Sequence, residues 1–369
     1  MSVPRLRISL TNPVLIAIVG LILVLMWQVR SLLVTLMISV VLAASISPVV
    51  NWAEKYRIPR WLATLATYLI LIAGLTGVGL AIGPAVASQI ERLVRQLPVY
   101  LETLREIAED LAANFNDTPP EFVRQFFDTQ SLTTWAIRSS QQLLLRSYGL
   151  TRGFVGGVVS LILSLFISGY MVADSRTLIN SVVQLFPSPW DRNLEAQIEP
   201  ISYRMGGYIR GRLLVSAILG VAITAGLTLL GLGDFALGLG AIAGVTNLIP
   251  FLGPVLGAIP ALIVAISQGS WTFLWVLILF VIIQNVETYI LDPLLVGSSV
   301  GVHPLYQLLS VLGGVQVLGI IGAIVVPPWF AGVSALVENL YLKPKLMAQN
   351  NGENTETDEV GAIASSEST

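Results

Sequence analysis

Five polar side chains lie close together in a stretch that is otherwise apolar, and two of them are carboxylates: Gln284, Asn285, Glu287, Thr288 and Asp292. Gln284, Thr288 and Asp292 are four residues apart and so share one face of a helix, with Glu287 at the margin of that face. A carboxylate inside a membrane is costly unless it faces a wet cavity or a partner. Glu287 is therefore the leading candidate for a substrate or proton site. The alternative is that both acids are solvated helix ends, with Asp292 stopping the helix before a proline.

A second candidate element is the run Asn247–Pro254, which reads NLIPFLGP inside a long apolar stretch. Its prolines remove helical donors and disfavour helical geometry just before them, so we predict a broken or re-entrant helix. Carbonyls freed in lipid must face protein, water or a solute, and discontinuous helices therefore mark transporter sites. The candidate pathway residues in this run are Asn247, Pro250, Phe251, Gly253 and Pro254. The alternative is a simple proline kink that binds nothing.

A basic partner for Glu287 has to come from an earlier part of the chain, because the stretch from Leu213 to Leu342 contains no lysine or arginine. The nearest candidates are Arg210 and Arg212, which we expect at the cytoplasmic mouth of the protein.

The start of the last apolar run carries two further candidates. Gly313 and Gly314 form a candidate flexible hinge, because paired glycines make a helix easy to interrupt. His303 could relay protons, although a lone histidine at an interface is more often a surface or capping group. It is also the single histidine, and the chain has no cysteine, so disulfides, thiol chemistry and a multi-histidine metal centre are excluded. We predict no cofactor and no metal site.

Apolar runs must hold these residues in place. Only 11% of the residues are charged, 54% are apolar and the mean hydropathy is +0.79. Because about 20 apolar residues in a helix cross the hydrocarbon core, the sequence predicts an all-α polytopic membrane protein of about eight transmembrane helices, at least one of them broken or re-entrant. The predicted spans are Pro13–Val29, Ser31–Val50, Trp61–Ile82, Phe154–Val172, Leu213–Leu232, Phe235–Ile266, Trp271–Leu291 and Leu305–Phe330.

The fifth span carries small residues at four-residue spacing, namely Ser216, Gly220, Thr224 and Thr228. Such a stripe predicts close approach of a neighbouring helix in lipid. A polar lining of a pathway is the alternative.

Four regions follow from this pattern. Residues 1–83 form the first three transmembrane helices, residues 84–152 an extracytoplasmic amphipathic helical segment, residues 153–347 the transmembrane transport core, and residues 348–369 a disordered cytoplasmic tail.

Apolar residues in the second region, residues 84–152, recur at spacings of four and three from Ile90 to Leu111, which predicts an amphipathic helix. Pro98 predicts a kink there or a division into two shorter helices. This segment lies on the bundle or at the lipid interface, or makes a coiled-coil-like partner contact.

Basic residues in the short loops predict the orientation. Four groups of them fall on one side, which places both termini in the cytoplasm, with Arg30 as the one short-loop exception. The net charge of -2 and the lack of a dense basic run give no sign of nucleic-acid binding. The chain also has no nucleotide-binding fingerprint, which argues against ATP-driven transport by this chain alone.

These motifs, taken in order, resemble a known family. They are similar to the motifs of the bacterial autoinducer-2 exporter-like permeases. The motifs are Tyr208-Ile209-Arg210-Gly211, the broken segment, Gln284-Asn285-Val286-Glu287, Asp292-Pro293-Leu294-Leu295, the glycine pair and Gly319-Ile320-Ile321-Gly322. The resemblance covers nearly the whole chain. It implies an inner-membrane secondary transporter, with some members linked to export of a signalling molecule in quorum sensing and others to sodium or proton exchange. Arg212 stands where many relatives carry glutamine.

The sequence thus predicts a permease or exporter of the bacterial inner (plasma) membrane and not an enzyme. It would move a small solute such as a signalling molecule, or sodium or protons, by alternating access. Its expected partners are the lipid bilayer and a small-molecule or ion substrate, with a homo-oligomer left open. A passive oligomeric channel and a membrane scaffold without transport are the alternatives.

Overall fold

The computed structural model describes residues 28–114, 147–297 and 303–346, together with residues 20, 21, 24, 25 and 349. For residues 108–114 and 147–158 only the backbone is described. Most of the first predicted span, Pro13–Val29, and nearly all of the predicted tail, residues 348–369, lie outside this part of the chain.

Every element in the described part is helical. The helices are α1 (Arg30–Lys55), α2 (Arg60–Asn114), α3 (Ser147–Ala173), α4 (Ser175–Val183), α5 (Trp190–Leu229), α6 (Gly233–Thr246), α7 (Leu252–Ser267), α8 (Ser270–Val286) and α9 (Pro304–Val337). Two π-helical segments, Glu287–Gly297 and Glu338–Leu342, follow α8 and α9.

The predicted fold class is confirmed. Within the described residues, five helical stretches are long and apolar enough to cross a membrane, and the bent pair α3 and α4 raises the number to six. Many large apolar side chains on these helices are exposed, as expected for surfaces that face lipid. The chain is a multi-pass membrane protein.

The helix α2 is a single element from Arg60 to Asn114 and contains both Pro84 and Pro98. The expected division into two shorter helices at Pro98 is therefore not present. A proline removes one backbone donor and disturbs one turn, and the long helical run on either side of it is continuous here. The boundary between the first two predicted regions, at residues 83 and 84, lies inside this helix.

The predicted sixth span, Phe235–Ile266, consists of two helices that fold back on each other. α6 ends at Thr246, α7 begins at Leu252, and Phe251 between them has a φ of 65°. The two arms touch: a Cβ on Gly257 of α7 would lie 2.7 Å from the Cα of Ala243 in α6. We call this pair of helices the first hairpin and residues 247–251 its tip. The broken helix predicted from the prolines is thus confirmed.

The last predicted span, Leu305–Phe330, is also folded back, at Gly319, whose φ is 66°. A Cβ on Gly314 would lie 2.4 Å from the carbonyl oxygen of Gly322, whereas residues eight apart in a continuous helix are about 12 Å apart. The rings of Tyr306 and Phe330 stack with centroids 6.1 Å apart, which the same fold-back explains. We call residues 304–337 the second hairpin. Its backbone turns at Gly319 and not at the glycine pair considered as a hinge.

Both hairpins pack along α5, but they point in opposite directions. α6 runs antiparallel to α5, because Gly240 of α6 lies against Thr224 whereas Gly244 lies against Ser216. These contacts confirm close packing at the stripe of small residues. The tip of the first hairpin therefore lies beside the middle of α5. The second hairpin has its open end beside the first half of α5, where Arg204 pairs with Glu338. The hairpins thus enter the bundle from opposite ends of α5.

Candidate functional site

Arg212 is the centre of a buried polar cluster. It lies in the interior of the 40-residue helix α5 and is 3% exposed. A buried guanidinium is costly unless it is paired and hydrogen-bonded. Its Nη1 lies 3.0 Å from Glu287 Oε1 and 3.2 Å from Asp292 Oδ1, and its Nη2 donates to Asn247 Oδ1 at 3.4 Å. The basic partner that Glu287 requires is therefore Arg212, reached across the packed faces of two helices.

Glu287 accepts hydrogen bonds from three protein side chains. Besides Arg212, it accepts hydrogen bonds from Asn247 Nδ2 at 3.0 Å and from Gln284 Nε2 at 3.2 Å. Its side chain is 4% exposed, so it is not a solvated helix end. Since its three donors lie on α5, at the tip of the first hairpin and on α8, this one carboxylate links all three elements.

Asp292 differs from Glu287 in its surroundings. Its side chain is 38% exposed, and Arg212 is its one ion-pair partner among the described residues. In an α-helix, residues five apart point about 140° away from each other. The π-helical segment changes this, because its bonds join residues five apart and so bring Asp292 towards the same side as Glu287. Both carboxylates can then share one guanidinium.

A cavity of about 840 Å³ borders the cluster. Part of its wall is polar and a larger part is apolar. The polar part is formed by Arg212, Glu287 and Asp292 of the cluster and by Gln284, Thr288 and Gln307. The apolar residues that line it come mainly from the first hairpin and α8: Pro250, Phe251, Pro254, Val255, Ala258, Ile259, Leu262, Phe280 and Val281. With both acids ionised, the only charged groups on the described wall sum to one negative charge. The cavity thus offers an apolar enclosure with one anionic corner.

The predicted pathway residues separate into three groups. Seven of them line the cavity: Pro250, Phe251, Pro254, Gln284, Glu287, Thr288 and Asp292. Asn247 is buried behind the wall, where it bonds to the cluster, and Gly253 packs against the backbone of Thr246. Asn285 is exposed and donates to the carbonyl of Val281 on its own helix.

The other sequence candidates lie away from the cluster. Arg210 donates to the carbonyl oxygens of Ser45 at 2.8 Å and Ala44 at 3.3 Å, so it joins α5 to α1. His303 Nδ1 accepts from the backbone N–H of Leu305 and caps α9. Gly314 packs inside the second hairpin, whereas a Cβ on Gly313 would touch nothing within 4 Å.

Sequence reasoning missed Gln307 and several apolar lining residues, among them Leu262 and Phe280. Gln307 lines the cavity, and its Nε2 donates to the hydroxyl of Tyr208 at 3.3 Å, a bond that links the second hairpin to α5. No local pattern distinguishes these residues from their apolar or polar neighbours. Arg212 did carry a signal, since it is the last basic residue before 130 residues without one.

In the described part of the chain, no group of three or more His, Cys, Asp or Glu side chains could hold a metal ion.

Comparison with known proteins identifies the family of this chain. The family model for the AI-2E family transporter matches residues 15–342. YueF of Bacillus subtilis (strain 168), named as a candidate transport protein, is 30% identical over 322 residues, which cover 86% of this chain and 86% of YueF. YrrI of the same organism is 30% identical over 308 residues, 81% of this chain and 84% of its own. YhhT of Escherichia coli (strain K12) is 25% identical over 303 residues, 80% and 81% of the two chains.

The match of the family model extends from the first predicted span to the end of the last π-helical segment. It includes both hairpins and every residue of the Arg212 cluster. The chain belongs to the AI-2E transporter family.

Proposed function

We propose that this protein is a secondary permease that moves a small solute, or sodium or protons, by alternating access, and that it leaves what it moves chemically unchanged. The observation that carries the proposal is the cavity of about 840 Å³ whose polar corner is the buried Arg212, Glu287 and Asp292 cluster. Buried ionisable groups in a membrane domain are expensive and mark substrate or ion pathways.

The dimensions and the lining of the cavity support a small amphipathic cargo. Ligand sites for small molecules have volumes of roughly 300–1,000 Å³ and are mainly apolar with a few polar groups. This cavity fits that range. A signalling molecule with several hydroxyl groups could bond to Gln284, Thr288 and Gln307, whereas a sodium ion or proton would be attracted by the anionic corner. Family resemblance supports either cargo, including sodium or proton exchange.

Two opposed hairpins support alternating access. The tip of the first hairpin is bonded to the cluster through Asn247, so a ligand that perturbs the cluster also changes what holds the tip. The second hairpin enters from the other end of α5 and contributes Gln307 to the same cavity. Discontinuous helices of this kind let a site open towards one side at a time.

We assign different roles to the two acids. Glu287 holds the three elements together, because it accepts hydrogen bonds from side chains on all three of them and is almost fully buried. Asp292 binds the cargo or the coupling ion, because it is partly exposed on the cavity wall and shares its single guanidinium partner. Glu287, the leading candidate from the sequence, thus acts as the support of the site.

The role of Asp292 leads to a prediction. Asp292→Asn removes the group on the wall that can gain or lose a proton, and we expect flux that no longer depends on pH. Flux into liposomes, measured over a range of pH with wild type alongside, checks this. Asp234→Asn, an acid at the far end of α6, serves as the control and should keep the wild-type pH profile. An unchanged profile in Asp292→Asn would assign proton coupling to another group.

The membrane orientation is a further part of the proposal. We place the protein in the bacterial inner membrane, with both termini and the loop between α1 and α2 in the cytoplasm and the later part of α2 outside. The reason is that four groups of basic residues in the short loops fall on one side of the predicted spans, and such residues mark the cytoplasmic side.

Cysteine labelling tests this orientation without interference, because the chain has no native cysteine. We expect a membrane-impermeant maleimide to label Arg92→Cys in intact cells, and to label Asn51→Cys and Lys345→Cys only after the membrane is opened. All three positions are exposed. Labelling of Lys345→Cys in intact cells would reverse the proposed topology.

The central test is flux through the purified protein in liposomes, with sodium, protons and small neutral metabolites screened as cargo. Saturable flux that responds to a pH or sodium gradient supports the permease. Flux that follows only the gradient of the solute itself would point to a passive oligomeric channel. Absence of flux for every cargo would favour a membrane scaffold.

A further inference from the structure

The helix α4 is sharply bent away from the span that precedes it. The axes of α3 and α4 differ by 83°. α3 has 27 residues, a length of about 40 Å, which exceeds the roughly 30 Å hydrocarbon core. α4 has only nine residues and is not needed for the crossing. If α3 crosses the membrane near its normal, α4 lies close to the membrane plane.

The composition of α4 fits such a position. One side carries Arg176, Thr177, Asn180 and Ser181, and the opposite side carries Leu178, Ile179, Val182 and Val183. Only part of the apolar side is covered by protein, since Val182 is exposed while Val183 is buried. The exposed apolar surface continues past the helix in Leu185, which is 80% exposed, and in Phe186 and Trp190. We call residues 175–190 the bent segment.

Aromatic side chains gather at the same end of the bundle. Trp52, Tyr56 and Trp61, at the junction of α1 and α2, are all exposed. This junction lies beside the bent segment, because Arg60 Nε donates to the carbonyl of Val172 at 2.7 Å and Arg176 lies 3.2 Å from Glu54. Tryptophan and tyrosine concentrate where a membrane protein passes the headgroup layer. The bent segment therefore lies at that level.

The two chain segments that meet here carry a net positive charge. Residues 51–61 and 172–192 carry five basic and three acidic side chains. Arg176 reaches outward, with its side chain 80% exposed. A cavity of about 690 Å³ opens behind it, and its charged lining residues are Arg60, Arg176, Glu54 and Glu199. A basic group at this level is attracted to anionic lipid.

We propose that the bent segment lies flat in the headgroup layer and binds anionic phospholipid, with Arg176 contacting the phosphate and Leu185 and Phe186 inserted among the acyl chains. An amphipathic segment at the interface binds through buried apolar area together with attraction to anionic lipid, and both features are present here. The contact fixes the depth of α3, against which α1 packs.

Fluorescence quenching tests the proposal. Leu185→Cys gives a unique site for a bimane label, because the chain has no cysteine. The labelled protein is placed in phosphatidylcholine vesicles that contain increasing fractions of brominated phosphatidylglycerol, or brominated phosphatidylcholine for comparison. We expect strong quenching by both, with a clear preference for phosphatidylglycerol that weakens at high salt. A bimane at Thr177→Cys, on the polar side, should be quenched less.

Paired variants separate the charge contact from general effects. Arg176→Gln should lower the preference for phosphatidylglycerol about fivefold, the usual effect of one basic group near an anionic surface. Arg95→Gln is the matched control, because Arg95 is equally exposed and also pairs with a single glutamate, Glu91, but lies on α2. Its preference should be unchanged.

Each contrary outcome overturns a stated part of the proposal. Equal quenching of the wild type by the two brominated lipids would refute the anionic preference. An unquenched label at position 185 would refute the placement, and a blue-shifted but unquenched label would assign the surface to a second copy of the chain. Should Arg176→Gln fail to fold, the salt dependence of the wild type decides the point.

Discussion

Arg212→Ala is expected to abolish flux and to destabilise the protein strongly. The substitution leaves Glu287 buried without its cation and Asp292 without its ion-pair partner. Removing one member of a buried ion pair costs about 3–5 kcal/mol, because the remaining charge is uncompensated in a medium of low dielectric constant. We expect the Tm of the purified protein to fall by roughly 10 °C.

Two further variants test the cause. Arg212→Gln combined with Glu287→Gln removes both charges and keeps groups that can hydrogen-bond to Asn247, so most of the Tm should return while flux stays low. Arg95→Ala removes an arginine from an exposed pair and should cost about 1 kcal/mol or less. A double variant as unstable as Arg212→Ala would show that the packing of the arginine stem, and not its charge, holds the elements together.

The cluster illustrates what the sequence could and could not predict. Each member was identifiable as an isolated polar residue, since charge is rare in this chain and each acid lies in an apolar run. Their association was not, because Arg212 and Glu287 are 75 residues apart and meet only when α5 packs beside the end of α8. The sequence predicts Arg212 at the cytoplasmic mouth of the protein. The structure adds that its side chain is buried within α5, and its depth in the membrane stays a prediction.

Helix breaks were predictable to different degrees. Pro250 and Pro254 disturb the backbone only within about one helical turn of themselves. Their positions alone therefore predict the break at the tip of the first hairpin. The turn at Gly319 was harder to locate, because a glycine-rich run fits a hinge and a tight contact equally well. Gly314 and Gly322 use their missing side chains for contact with each other, while Gly319 supplies the positive φ. The π-helical segment had no local sequence signal that separates it from a helix ending at Pro293.

A change at the tip of the first hairpin is also expected to have a large effect on flux. Pro250 and Pro254 line the cavity, and Pro254 lies in the first turn of α7, where proline is favoured because its missing N–H has no helical partner there. Between them Phe251 has a φ of 65°, which is unfavourable for a residue with a side chain. The rigid rings restrict the alternatives open to this turn, and alanine would release them.

Replacing Pro250 and Pro254 together by alanine should therefore reduce flux at least about tenfold, because a misplacement of about 1 Å at a site can cost up to about a hundredfold. Expression and insertion should be normal, since alanine is a good helix former and no charge changes. Pro260→Ala is the matched control, because Pro260 lies within α7 but not on the cavity wall, and it should transport like the wild type. Wild-type flux in the double variant would mean that the prolines only shape packing, and the interrupted tip would then lose its place in the transport cycle.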